Sequence, residues 1–325
     1  CLPYPSNSLW DYDPFSDAGI DKAISAWSGL AGNFKALMNN GIPKQIRAHL
    51  SRIKAAGSLS LNNRSRVLHH IIGSQIPVLP PDTRHVDYDV IPVMIADGCL
   101  YQCEFCCLKS MRHFRARSPN DIRRQIHELK RFYGTNLCNY NAVFLGNQEG
   151  LAAGREAICM AAEEAFSAFG LDDSYIKAAT LYLFGSVDSI LNAGNQLFEA
   201  LNGLPFYSYI NIGLESVHAD TLGYLKKPVD ASKVIAAYEK MIAVNRHFHN
   251  LEVTANFVMG EKLSERHYAA LSELISSRPQ RFYSKGALYL SPLNGSQNKV
   301  GLQRRFLELK NLSRMPTFVY LIQRL

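Results

Sequence analysis

The sequence predicts an α/β fold built on a parallel sheet, and three observations support this. From residue 87 onward, short runs rich in Val, Ile and Leu alternate with longer segments of helical periodicity. Each connecting segment is long enough to cross back over a sheet, which makes the strands parallel. The alternation makes six strand-then-helix units, fewer than the eight of a closed barrel. The pattern therefore fits a partial, open barrel or a doubly wound sheet.

The first unit combines a buried strand, a cysteine-rich loop and a well-marked helix. The strand covers 87–96, and the helix covers 118–134. Ser118 stands at the predicted N-cap, Pro119 at the first helical position and Asp121 three residues after the cap. These signals fix where the helix begins, directly after the loop.

The remaining units repeat the pattern at shorter intervals. Each apolar run ends in polar or glycine residues and is followed by an amphipathic segment. The predicted strands are 142–146, 179–185, 207–216, 252–260 and 286–293, and the predicted helices are 155–170, 187–203, 231–248, 264–277 and 302–312. In either architecture, ligands bind at the carboxyl ends of such strands.

The part of the chain before the first strand has a different residue pattern. Helical patterns are followed by a segment with Pro77, Pro80 and Pro81, which ends any helix. We therefore divide the chain into an N-terminal helical extension (1–85), the barrel (86–297) and a C-terminal helical tail (298–325).

Composition and charge narrow the class of protein. The 325 residues are 47% hydrophobic, with 35 Lys and Arg against 28 Asp and Glu, giving a net charge of +7. A basic balance suits anionic partners such as RNA or a phosphorylated metabolite. The sequence shows no apolar run long enough to span a membrane and no secretory leader, so we expect a cytoplasmic protein, although the chain starts at Cys1.

Four of the seven cysteines fall within residues 99–107. An odd number in a chain without a leader argues against a disulfide scaffold and favours a metal or catalytic role. Cys99, Cys103 and Cys106 are spaced so that one loop can wrap three thiolates around a compact cluster, and iron–sulfur clusters normally take four. A structural zinc site with His113 as a further ligand and a thioredoxin-like pair remain alternatives.

The string CLYQCEFC resembles the cluster loop of the radical S-adenosylmethionine (radical SAM) superfamily, including Phe105 before the last cysteine. The resemblance implies a partial TIM barrel, (β/α)6, holding a [4Fe–4S] cluster on Cys99, Cys103 and Cys106. It also implies S-adenosylmethionine on the open iron, with Phe105 near the adenine. Cys107 is then a bystander, and the protein is an enzyme that generates a 5′-deoxyadenosyl radical.

Later strand ends extend the resemblance. FLGNQEGL is similar to the Gly-Gly-Glu motif that receives the methionine amino group, with Asn147 and Gln148 in place of both glycines and Glu149 retained. INIGLES and the LKK segment after it resemble the branch that includes tRNA methylthiotransferases, Elongator-type subunits and coproporphyrinogen-type enzymes. The implied cofactor contacts are Glu215, Ser216 and Asn256, with Ser186 either a contact or a helix cap.

The resemblance leaves the substrate open, as a small molecule or RNA, and implies an external electron donor of flavodoxin or ferredoxin type. No second cysteine cluster is present in the sequence, which disfavours sulfur insertion. Lys226 and Lys227 are interpreted as a solvated charged end. Two other classes remain: a nucleic-acid-binding protein stabilised by zinc or a cluster, and a catalytically silent partner subunit.

Overall fold

The computed structural model describes residues 17–38, 41–55, 58–76, 78–86, 89–106, 113–277, 285–293 and 298–320. In chain order, the strands are β1 (Ile91–Met94), β2 (Ala96–Asp97), β3 (Arg115–Ala116), β4 (Ala142–Gly146), β5 (Thr180–Ser186), β6 (Tyr207–Glu215), β7 (Leu251–Met259), β8 (Leu288–Pro292) and β9 (Thr317–Val319). The helices are α1 (Ala18–Met38), α2 (Lys44–Ala55), α3 (Ser58–Ile72), α4 (Pro119–Tyr133), α5 (Gly154–Phe169), α6 (Val187–Asn192), α7 (Asn195–Gly203), α8 (Ala219–Tyr224), α9 (Ala231–His247), α10 (Glu265–Ser277) and α11 (Lys299–Leu312).

The main sheet of the described residues is parallel throughout, in the order β1-β4-β5-β6-β7-β8-β9. Each strand thus lies beside the strand that precedes it in this sheet. A doubly wound sheet would reverse its order at a switch point, and this sheet has no reversal. The predicted α/β class and parallel strands are confirmed, and the sequential order fits the open, partial barrel.

The C-terminal tail differs from the expectation. We predicted a helical tail over 298–325 and six strands in the barrel. In the described residues, α11 is followed by β9, which pairs with β8 through Leu288↔Thr317 and Leu290↔Val319, so the sheet has seven strands. A strand of three residues is too short for a periodic pattern to reveal it; pairing with β8 is what makes it a strand.

Helix α4 forms as its sequence predicts. The Ser118 side chain accepts a hydrogen bond from the Asp121 backbone N–H at 3.2 Å, and Pro119 opens the helix. Its apolar stripe, Ile122, Ile126 and Leu129, is buried against the sheet side of the core. The helix therefore starts at a fixed point after the cysteine loop.

Three helices, α1, α2 and α3, come before β1 in the described part of the chain. The last of them, α3, is tied to the loop that carries the cysteines, because the Arg117 guanidinium donates to the Ile72 carbonyl at 2.6 Å. Within the described ranges, no helix is both long and apolar enough to cross a bilayer. The domain boundary near residue 85 stays a prediction.

A 3₁₀ turn, Pro81–Val86, closes the barrel at the amino ends of its strands. Asp82 is 1% exposed and accepts hydrogen bonds from the Thr254 hydroxyl at 2.7 Å and the Tyr289 hydroxyl at 2.6 Å. The Arg84 guanidinium also donates to Tyr289 and lies 4.3 Å from the ring centroid of Phe318. Although it precedes the first strand, this turn packs as part of the barrel.

The buried carboxyl of Asp82 predicts a pH-dependent stability. Burial raises its pKa to about 6, so its contribution to stability is complete below pH ~4 and is lost as the pH rises through about 6. The free energy of unfolding of the wild type, measured against Asp82→Asn by urea titration, should fall by about 2 to 3 kcal/mol between pH 4 and pH 7. Asp173→Asn, an exposed control, should give curves parallel to the wild type. Parallel curves for Asp82→Asn as well would show that Asp82 does not titrate in this range.

Candidate functional site

The cysteine loop leaves the sheet at the carboxyl end of β1, as predicted. It is bounded by the antiparallel pair β2–β3 and by a bridge between Cys99 and His113. Asp97 and Arg117 clamp its base with two hydrogen bonds, at 3.0 and 2.5 Å. Gly98 begins the loop with a φ of 77°, a conformation that glycine adopts without cost. Cys107 lies outside the described residues.

The three predicted ligands all lie at this end of the barrel. Cys99, Cys103 and Cys106 are half-buried thiols outside any disulfide. Burial raises the pKa of Cys99 and raises that of Cys103 to about 11. A thiol in such a place is held in its protonated form, and a ligand that binds thiolates must supply positive charge to offset the burial.

A single metal ion and a cluster differ in what they require of the three cysteines. Among the described residues, no three His, Cys, Asp or Glu side chains lie close enough together to hold one metal ion. A structural zinc site would need its ligands around one atom, whereas in an iron–sulfur cluster each cysteine would bind a different iron.

A buried lysine faces the cysteines. Lys227 is 6% exposed; its Nζ lies 3.5 Å from Glu215 Oε1 and 5.1 Å from the ring centroid of Tyr101. Its charge acts against burial by lowering the pKa of both Cys99 and Cys103. The interpretation of this lysine as a solvated end was wrong. Nothing in the sequence distinguishes Lys227 from its neighbour Lys226, which is exposed as expected.

That neighbour helps to place the loop. Lys226 has a φ of 51° and pairs with Glu104 of the cysteine loop at 2.8 Å. The Glu104 backbone N–H also donates to the Leu225 carbonyl at 3.2 Å. The turn after α8 is thus docked on the cysteine loop. This contact positions the next residue, Lys227, close to the thiols.

Glu215, a predicted cofactor contact, reaches the site through an irregular strand end. Its φ is 65°, and the pairing of β6 with β7 shifts register between Gly213 and Glu215. Burial raises the pKa of the Glu215 carboxyl, and Lys227 opposes the rise. A Cβ on Gly213 would lie 2.6 Å from Glu215 Oε1, so this position requires glycine while the carboxylate keeps its place.

Glu149 and Ser186 meet on the other side of the site. Glu149 is 1% exposed and accepts a hydrogen bond from the Ser186 backbone N–H at 3.1 Å. Burial raises the Glu149 pKa, and its charge in turn raises the pKa of Cys99. Ser186 caps α6 through a capping box with Ser189, which is one of the two roles expected for it. The other role, a contact with the cofactor, stays a prediction.

Sequence reasoning did not single out Tyr101. It is 7% exposed, its ring lies against Lys227, and its hydroxyl accepts a hydrogen bond from the Asp188 backbone N–H at 2.9 Å. It thereby links the cysteine loop to the start of α6. Its position between two cysteines of the loop was the only available signal.

Other predicted contacts are engaged within the protein. Asn147 donates to the Ser74 hydroxyl at 3.0 Å, and Ser216 shares a hydrogen bond of 2.8 Å with His267. Asn256 pairs with Asn211 inside the barrel, at 2.5 and 3.2 Å. Gln148 is half-buried at the end of β4, and Phe105 packs against the core. As cofactor contacts, these five residues stay predictions.

Comparisons with family models and with curated proteins find no match for this sequence. Solved structures do resemble the fold. A radical SAM methyltransferase from Sphaerobacter thermophilus is 17% identical, with a TM-score of 0.48, over 72% of this chain and 67% of its own. Coproporphyrinogen III oxidase from Escherichia coli, described as a radical SAM enzyme, is 12% identical, with a TM-score of 0.43, over 66% and 46%.

A third similar structure, methylornithine synthase, is 8% identical, with a TM-score of 0.40, over 81% of this chain and 78% of its own. The first two of these proteins carry the name of the superfamily whose cluster loop the sequence resembles. Similarity at this level does not assign an activity, so the chemistry has to be inferred from the residues of the site.

The buried ion pair of Lys227 and Glu215 predicts that Lys227 contributes much more to stability than the adjacent Lys226. Lys227→Met leaves the Glu215 carboxylate buried without a partner, and the free energy of unfolding should fall by about 3 to 5 kcal/mol. Lys226→Met removes an exposed ion pair and should cost about 0 to 1 kcal/mol. Urea denaturation measures both.

A second substitution separates the charge effect from lost packing. Adding Glu215→Gln to Lys227→Met removes the stranded charge, so part of the lost stability should return. If both single lysine variants lose the same small amount, Lys227 is not the buried partner of Glu215.

Proposed function

We propose that this chain is a radical SAM enzyme, with a [4Fe–4S] cluster on Cys99, Cys103 and Cys106 and S-adenosylmethionine at the open iron. When bound, these groups supply a 5′-deoxyadenosyl radical, made by reductive cleavage of S-adenosylmethionine, that abstracts a hydrogen atom from an unidentified substrate.

One observation carries this proposal. Three thiols on a single loop lie at the carboxyl end of the first strand of an open parallel barrel, facing a buried cation. Ligands bind at this end of such barrels, and three cysteines leave one position of a four-iron cluster free. The sequential strand order supports the same proposal, because it brings the ends of β1, β4, β5 and β6 around the loop.

The charged residues of the site are complementary to the carboxylate and ammonium groups of an amino acid. Lys227 is complementary to the carboxylate of the methionine moiety, and the Glu215 and Glu149 carboxylates are complementary to its ammonium group. All three are nearly buried, so their interactions with a bound ligand are weakly screened by water. The ring of Tyr101 lies against Lys227, and we propose Phe105 as the residue that packs near the adenine.

The partners are part of the proposal. Cleavage requires one electron from outside the chain, and we propose a flavodoxin or ferredoxin type of donor in the cytoplasm. The substrate is a small molecule or an RNA.

The silent-subunit alternative has one observation in its favour. Asn147 and Glu149, which stand where the Gly-Gly-Glu motif is expected, already have partners in the protein, Ser74 and Ser186. If these bonds persist, the end of β4 offers less to a ligand. This alternative predicts a bound cluster without cleavage.

Anaerobic reconstitution decides between the two. The protein is loaded with iron and sulfide and then reduced with dithionite in the presence of S-adenosylmethionine. We expect 5′-deoxyadenosine and methionine in the chromatogram from the wild type and none from Cys103→Ala. Four bound irons without 5′-deoxyadenosine would favour the silent subunit, and bound zinc without iron would overturn the cluster.

The cysteines themselves give a second prediction. Serine at 99, 103 or 106 should abolish the iron–sulfur absorption and most of the bound iron, because each removes one thiolate ligand. Cys107→Ser should retain both and is the matched control. Equal loss from all four variants would contradict this choice of ligands.

A further inference from the structure

The positive charge of this protein is concentrated before the barrel. Residues 22–81 contain eight Lys and Arg and no Asp or Glu. This segment alone therefore carries +8, against +7 for the whole chain, so the remaining residues sum to −1. Charge segregated to this degree marks a surface that meets an anionic partner.

Helix α2 lies at the centre of this segment and is open to solvent. Every residue from Lys44 to Ile53 is exposed except Leu50, which is half-buried. Ile46 is 51% exposed and Ile53 is 41% exposed. The three aliphatic residues are spaced i, i+4 and i+7, which places them in one stripe along the helix.

The basic residues of α2 lie outside that stripe. At 100° per residue, Arg47 lies on one flank of the stripe and Arg52 on the other, while Lys44 falls on the opposite face. A short helix with an aliphatic stripe, basic flanks and no acidic residue has the character of helices that lie in the plane of a bilayer surface.

The next helix also exposes apolar side chains. Leu61 and Val67 of α3 are each 49% exposed, and Arg66 between them is exposed as well. Since α3 is tied to the cysteine loop through Arg117 and Ile72, a surface that binds α2 and α3 also fixes the position of the barrel relative to that surface.

We propose that α2, with the exposed side of α3, binds the surface of an anionic phospholipid membrane. Lipid phosphates neutralise the basic flanks, and the acyl boundary takes Ile46, Leu50 and Ile53 out of water. A nucleic acid explains the charge alone. It leaves the aliphatic stripe in water, and the sequence of α2 contains no aromatic residue on which bases stack. The membrane therefore accounts for both observations, independently of the radical chemistry.

Vesicle flotation with the full chain tests the proposal. We expect the protein to float with vesicles of equimolar phosphatidylcholine and phosphatidylglycerol and to stay behind with phosphatidylcholine alone. Salt at about 1 M, where the screening length is about 3 Å, should release it. The double variant Ile46→Asn/Ile53→Asn and the double variant Arg47→Glu/Arg52→Glu should each bind at least about tenfold more weakly.

The matched control is Ala48→Ser, an exposed position on the opposite face of α2, which should bind like the wild type. Circular dichroism of each variant checks that the helices are retained. Binding to neutral vesicles as strong as to anionic ones would overturn the proposal. So would an unchanged affinity of the isoleucine double variant for vesicles. Binding to polyuridylate that is tighter than binding to anionic vesicles would assign the surface to nucleic acid.

Discussion

The buried ion pair between Lys227 and Glu215 is the interaction on which the site depends. Two charges removed from water must compensate each other. In both segments a residue other than glycine has a positive φ. Glu215 has a φ of 65°, and the residue before Lys227, Lys226, has a φ of 51°. Such conformations persist only where the surroundings enforce them. Here the pair joins the end of β6 to the turn after α8, and the contact of Lys226 with Glu104 docks that turn on the cysteine loop.

The sheet makes this convergence possible. Because every pairing in the sheet is parallel and sequential, the carboxyl ends of β1, β4, β5 and β6 lie on the same side of the barrel. The cysteine loop, Glu149, Ser186 and Glu215 come from these four segments. At the amino ends of the strands lies the turn at Asp82, which accepts hydrogen bonds from the Thr254 and Tyr289 hydroxyls.

Electrostatics divide the molecule into two regions. At the strand ends a few charges are buried and compensated, and burial raises the pKa values of Cys99, Cys103, Glu149 and Glu215. In α2 and α3 the described basic side chains stand in solvent, and neither helix contains an Asp or Glu residue. The first arrangement suits a small zwitterionic ligand held in a low dielectric, and the second suits an extended anionic surface.

The sequence by itself determined the elements: the strand and helix order, the cap at Ser118 and the stripe of α4, and the placing of the cysteines after the first strand. These features are local, so periodicity and capping residues reveal them. It could not determine that β9 completes the sheet, that Lys227 is buried while Lys226 is exposed, or that Asn147 and Ser216 bond to distant residues. Burial and pairing depend on which segments meet in space, and only the tertiary structure decides that.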